Sequence, residues 1–232
     1  MTPQLSVKND GFLVRTGKYN ITCYTDPLCC WSWAMEPAWQ KLQFEWEGAL
    51  QVQYKMGGLL PSWQHFKDTA NSISRPSQMG PEWMTAAHLS GVPINSRIWI
   101  TDPPSSSYPA CIAVKCVQLQ SSAMAETYLR SLRQAVMRDG INIAKTSELL
   151  TQTKALAANY PDFNASLFQD DLLGHRGKEA FRQDLREVKY LNINRFPTMV
   201  IKKGDGTTTV LTGYQTYESL RASLSEKKPT GK

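Results

Sequence analysis

The stretch from Tyr24 to Pro37, Tyr-Thr-Asp-Pro-Leu-Cys-Cys-Trp-Ser-Trp-Ala-Met-Glu-Pro, limits what this chain can fold into more than any other. Before it, residues 20–25 are short, β-branched and aromatic, which reads as a strand. Asp26-Pro27 is a turn signal. After it, Trp33 to Trp46 carries Trp33, Leu42, Phe44 and Trp46 with no turn signal, and reads as a helix interrupted by Pro37. Cys29 and Cys30 therefore fall where a strand hands over to a helix N-terminus. The free N–H groups and the positive dipole end there favour a thiolate, which is the nucleophile of thiol–disulfide chemistry.

The rest of the chain supplies matching elements. Residues 50–56 alternate apolar and polar with period two, and Gly57-Gly58 closes a βαβ unit. Residues 59–109 are punctuated by Pro61, Pro76, Pro81, Pro93, Pro103, Pro104 and Pro109; Trp63, Trp83 and Trp99 mark them as packed loop and short helix, since disordered segments are poor in tryptophan. Residues 110–120 are apolar on most faces and read as a buried helix. Met124, Tyr128, Leu132 and Val136 recur every four residues on the next, which ends at Asp139-Gly140. Further helices are expected over 147–158, 163–173 and to about 191. Thr198 to Lys202, the turn Gly204-Asp205-Gly206 and Thr207 to Leu211 read as a hairpin, followed by a capped helix from Thr216. The order is βαβ, helices, ββα.

At Asp26-Pro27-Leu28-Cys29-Cys30-Trp31-Ser32-Trp33 the chain resembles the thioredoxin superfamily, and within it the DsbA-like branch with its FrnE-like and YjbH-like members. Arg195-Phe196-Pro197-Thr198 is similar to the family's cis-proline loop running into a strand. The resemblance implies an α/β thioredoxin-like core over 18–57 plus 192–226, a mainly helical insertion over 59–180, a lead-in over 1–17 and a basic tail over 227–232. It implies Cys29 as the nucleophile, a cis Phe196–Pro197 bond close to the Cys29 sulfur, and a substrate groove shaped by Trp31, Phe196 and Pro197. The family's second cysteine stands here as Ser32. The resemblance implies a thiol–disulfide oxidoreductase or isomerase that works through mixed disulfides at Cys29 alone, acting on a protein or peptide client, with glutathione as a co-substrate and no bound cofactor. Ser32-Trp33 after an aromatic also resembles kappa-class glutathione transferases and chromene-carboxylate isomerases, with Cys29 at their catalytic serine position. YjbH-type adaptors give a third reading, non-enzymatic presentation of a client for proteolysis.

The residues add their own expectations. Ser32 donates a hydrogen bond to the Cys29 thiolate and lowers its pKa; Glu36, facing solvent two turns on, opposes this weakly. Cys30 is a spectator or a second oxidation site, because a ring between adjacent cysteines demands a distorted or cis peptide costing about 2.5–4 kcal/mol. Cys23, Cys111 and Cys116 read as packing residues, and neither they nor His65, His88 and His175 have metal-ligand spacing. Five cysteines in 232 residues make no disulfide scaffold and point to a reducing, cytoplasmic setting. No apolar run is long enough for a membrane span, and no apolar segment near Met1 reads as a secretory signal. The net charge of +6 sits partly on Lys227, Lys228 and Lys232, with basic and acidic residues interleaved elsewhere, so nucleic acid is not an expected partner.

Overall fold

A computed structural model of the chain describes residues 18–66, 68 and 73–224; the expected lead-in and basic tail lie outside these. Strand β1 (Tyr19–Thr25) leads into helix α1 (Cys30–Glu45) and then β2 (Leu50–Met56). Strands β1 and β2 pair in parallel, Tyr19 opposite Leu50 through Thr25 opposite Met56. A parallel pair needs a crossover, and α1 is that crossover. Far along the chain, β3 (Thr198–Lys203) and β4 (Thr208–Thr212) form a hairpin, and β3 lies antiparallel to β1 with Cys23 opposite Met199. The sheet order is β2-β1-β3-β4.

Between β2 and β3 run α2 (Met79–Ser90), α3 (Ile98–Thr101), α4 (Tyr108–Gln118), α5 (Ser122–Arg133) with a π-helical turn over Gln134–Arg138, α6 (Thr146–Asn159), α7 (Ala165–Leu173) and α8 (Arg176–Tyr190); α9 (Tyr217–Leu224) closes the described chain. Helix α4 is buried almost all round, at Ala110, Cys111, Ala113, Val114, Cys116 and Val117, and packs on α5, α7 and α8. Trp83 and Trp99 are fully buried, edge to face at 5.0 Å, with Trp63 against Trp99. The prolines of 59–109 hide a twelve-residue helix. Pro76 opens a 3-10 turn and Pro81 sits in the first turn of α2, where an amide would have no intrahelical partner anyway.

Two expectations about α1 are corrected. Pro37 does not interrupt it: the helix runs unbroken, and Pro37 is on the exposed side, where water can satisfy the carbonyl that loses its amide partner. Glu36 does not face solvent. Ser32, Met35, Glu36, Trp39 and Leu42 share the i, i+3, i+4, i+7 stripe that α1 turns inward, so Glu36 is buried with it.

Candidate functional site

Cys29 is the N-cap of α1, in extended conformation, and Cys30 is the first helical residue. The Cys29 amide donates to the Asp26 carbonyl at 3.1 Å, closing the turn that follows β1. The Cys29 thiol donates to the Phe196 carbonyl at 3.4 Å, across 167 residues of sequence. The Phe196–Pro197 peptide bond is cis. The Phe196 ring lies on Gly57, where an added Cβ would stand 2.0 Å from Cζ, so the loop rests on a site that only glycine allows. Trp31 borders the same region. Its indole N–H donates to Glu82 at 3.0 Å, and its ring lies 6.3 Å from that of Tyr214. The structure thus brings Cys29, Cys30, Trp31, Ser32, Phe196 and Pro197 to one end of the sheet.

A buried polar network underlies the sulfur. Ser32 Oγ lies 2.8 Å from Thr25 Oγ1, and Arg133 Nη2 donates to Thr25 Oγ1. Arg133 Nη1 donates to Glu36 Oε2 at 3.0 Å, and Arg130 Nε to Glu36 Oε1 at 2.9 Å. Burial opposes ionisation of Glu36, but the two guanidinium groups and Gln40 outweigh it and hold the carboxyl below its usual range. In the turn, Asp26 is fully buried. It accepts from the Leu28 and Leu59 amides and the Ser107 hydroxyl, with the Cys111 thiol at 3.3 Å, and burial still pushes its pKa up.

The expected depressed pKa of Cys29 is corrected by the same geometry. The residue is 4% exposed, and burial pushes its thiol up to about 11, although the Ser32 hydroxyl and amide and the Arg133 charge pull it down. A helix N-terminus favours a thiolate through its free N–H groups, but here the sulfur is withdrawn from water and desolvation is the larger effect. Cys30 is also buried and raised, chiefly by desolvation and then by its neighbour Cys29. All five cysteines are free. Cys23, Cys111 and Cys116 are buried among core side chains. Among the described residues no three His, Cys, Asp or Glu side chains gather as a metal site, and no helix is long and apolar enough to cross a membrane.

Thr25, Arg133, Glu82 and Tyr214 escaped the sequence reading. One of them carried a signal: Arg133 lies four residues from apolar Leu129 and four from apolar Met137, a helical spacing that sets it on their face, and all three are buried.

A strand, a cysteine at a helix start and a facing cis-proline loop define a thioredoxin-like α/β protein. A family model described as thioredoxin matches residues 23–222, and the chain belongs to that family. Among curated relatives, the ClpXP adapter protein SpxH of Halalkalibacterium halodurans is 26% identical over 180 residues, covering 78% of this chain and 57% of the relative, so the match spans little more than half of that protein. Among solved structures, a candidate protein disulfide isomerase from Nitrosomonas europaea superposes with a TM-score of 0.70 at 21% identity, covering 89% of this chain and 96% of the other. Cytosolic disulfide reductase DsbM from Pseudomonas aeruginosa superposes with a TM-score of 0.64 at 21% identity, covering 83% and 88%; it has also been solved with GSH.

Proposed function

We propose that the chain is a client-binding adaptor of the thioredoxin family, which holds a protein or peptide in the groove between Trp31 and the Phe196–Pro197 loop and presents it to a protease of the ClpXP type in the cytoplasm. The observation that carries this reading is the pairing of Cys29 with Ser32. A dithiol enzyme releases its mixed disulfide by attack of a second thiolate, and a hydroxyl cannot perform that step. Cys29 itself is buried and protonated at neutral pH, with its thiol on the Phe196 carbonyl. The relatives named as ClpXP adapters support the assignment. The test uses the full chain and its Cys29→Ala variant in two assays, binding to ClpX hexamers by fluorescence anisotropy and insulin reduction with glutathione. Equal ClpX binding by both proteins, with no insulin turnover above background, is expected. Turnover that depends on Cys29, with no ClpX binding, refutes the proposal.

A second reading rests on the contact of the Cys29 sulfur with the cis-proline loop and on the likeness to DsbM, solved with GSH. In it, Cys29 forms a mixed disulfide with the client or with glutathione, and an external thiol, not an internal one, resolves it. Incubation of the reduced chain with oxidised glutathione separates the two readings. One glutathione adduct on the Cys29 peptide in the intact-mass spectrum supports the second, and its absence supports the purely non-covalent adaptor.

A further inference from the structure

The two edges of the sheet differ. On β2, the Tyr54 hydroxyl donates to Glu126 of α5 and Lys55 pairs with Glu187 of α8, so helices flank that edge. Strand β4 packs almost wholly on β3. Edge strands commonly carry a lysine, a proline or a bulge that keeps a further strand from pairing. Thr208–Thr212 reads Thr-Thr-Val-Leu-Thr, without charge or proline, in unbroken register with β3. The ladder fixes which of its backbone groups are open. The Lys203 amide donates to the Thr207 carbonyl at 2.9 Å, and the Gly213 amide to the Pro197 carbonyl at 2.7 Å. Bonded pairs in an antiparallel ladder recur at every second residue. Thr209 and Leu211 therefore turn their N–H and C=O groups toward β3, and Thr208, Val210 and Thr212 turn theirs outward. Among the described residues these outward groups have one partner, the Gln215 side-chain amide on the Thr212 carbonyl. The side chains of Thr208, Val210 and Thr212 share one face and are exposed, Val210 at 58%.

We propose that β4 is a dimer interface, pairing antiparallel with the β4 of a second copy of this chain about a two-fold axis at Val210. The strand is its own complement in that register: Val210 meets Val210, Thr208 meets Thr212, and Thr209 meets Leu211. Outward-turned N–H and C=O groups then face outward-turned groups. An isologous contact requires this self-complementarity, which a strand of unrelated sequence does not supply. The two exposed valines cover each other as a β-branched cross-strand pair, with a Thr–Thr pair on either side. Charge agrees with a second copy as the occupant. The strand sets no like charges against each other across the axis, and Lys202 and Lys203 stand on β3, one strand away from the contact. The register carries Asp205, at the hairpin tip of one copy, to the end of β4 in the other. There the Arg195 side chain runs 3.9 Å from the Cβ position of Gly213 and makes no ion pair among the described residues. Symmetry makes this contact twice. Tyr214 follows Gly213 and its ring lies 6.3 Å from that of Trp31, so the hairpin tip of each copy borders the groove of the other.

The test is sedimentation velocity of the full chain over about 1–100 μM, for the parent, Val210→Lys, Val210→Pro and Phe44→Ser. The parent is expected to sediment as a monomer–dimer equilibrium. Val210→Lys sets two like charges on the axis and is expected to raise the dissociation constant by about tenfold or more. Val210→Pro removes an N–H that points outward, so the chain keeps its own ladder bonds and loses the dimer. Phe44, exposed on α1, is the control for a contact elsewhere, and Phe44→Ser keeps the parent's behaviour. A parent that is monomeric throughout, a dimer as strong in both Val210 variants as in the parent, or a dimer lost in Phe44→Ser overturns the proposal. Should Val210→Pro lose the parent's thermal transition, Val210→Lys is read alone: an unchanged dissociation constant overturns the interface, and the tenfold rise supports it. The assay contains no client and no ClpX, so its outcome is independent of whether the adaptor reading survives.

Discussion

Replacing Glu36 by glutamine keeps the shape of the side chain and removes its charge, leaving the Arg133 guanidinium buried without a counter-ion. The Arg133 side chain is 5% exposed and that of Glu36 7%, with the pair at 3.0 Å. Breaking such a pair from one side costs about 3–5 kcal/mol, most of it the penalty on the stranded charge. Arg130, at 36% exposure, is solvated and adds at most about 1 kcal/mol. For a domain of this size each kcal/mol moves Tm by about 2–4 °C, so a loss on the order of 6–20 °C is expected for Glu36→Gln at neutral pH. The effect has a defined pH dependence. The Glu36 carboxyl is held below its unfolded value, so its contribution is fully present above that value and fades as pH falls through the lowered folded one. The gap between parent and variant therefore narrows in acid. Circular dichroism melts from neutral to acid pH measure it. A Tm within about 2 °C of the parent at neutral pH would show that Arg133 is not stranded, and would refute the reasoning.

Three further outcomes are expected. Gly57→Ala drives a Cβ into the Phe196 ring, so the ring and its carbonyl shift; alkylation of Cys29 accelerates, and stability falls by about 1–3 kcal/mol, measured by urea unfolding. Asp184→Asn removes the carboxylate that pairs with buried Lys115 at 2.8 Å and accepts from the Met56 amide at 2.9 Å, and lowers the urea midpoint by an amount equivalent to about 3–5 kcal/mol. Ser32→Cys restores a Cys-x-x-Cys pair at the helix start, and insulin reduction should rise above that of the parent; an equal rate would show that another cysteine already resolves the mixed disulfide.

What could be read from the sequence was what the backbone decides locally. The period-two strand Leu50–Met56, the four-residue spacing of Tyr128, Leu132 and Val136, and the Gly204–Gly206 turn each express a geometry completed within a few residues. The strand-to-helix placement of Cys29 belongs with them, and the α/β thioredoxin-like fold followed from it. Properties set by distant partners did not show. Glu36 reads as a solvated charge because the arginine that makes its burial tolerable lies 97 positions away. The helix dipole at Cys29 is visible locally, while the desolvation that outweighs it comes from chain folded over the sulfur. Helix α2 was obscured because proline reads as a breaker unless one knows that it falls in a first turn.

The chemistry of Ser32 ties the two halves of the site together. A thiol at that position would be a weaker partner for Thr25, since sulfur is a weak donor and acceptor, whereas the Ser32 hydroxyl lies 2.8 Å from Thr25 Oγ1. The serine that joins the buried network at Thr25 is therefore the same residue whose lack of sulfur prevents release of a mixed disulfide. Cys30 does not replace it, because its own thiol is buried, pushed upward in pKa and adjacent in sequence to Cys29. Any disulfide formed at Cys29 then persists until a thiol from outside attacks it. In the second reading, a site with a single thiol and no internal exit holds a covalent partner for as long as the surroundings stay poor in thiol, and a turnover catalyst needs the reverse. Where Cys29 does form an adduct, as in the second reading, the adduct is expected to persist after removal of free thiol and to be lost when glutathione is restored.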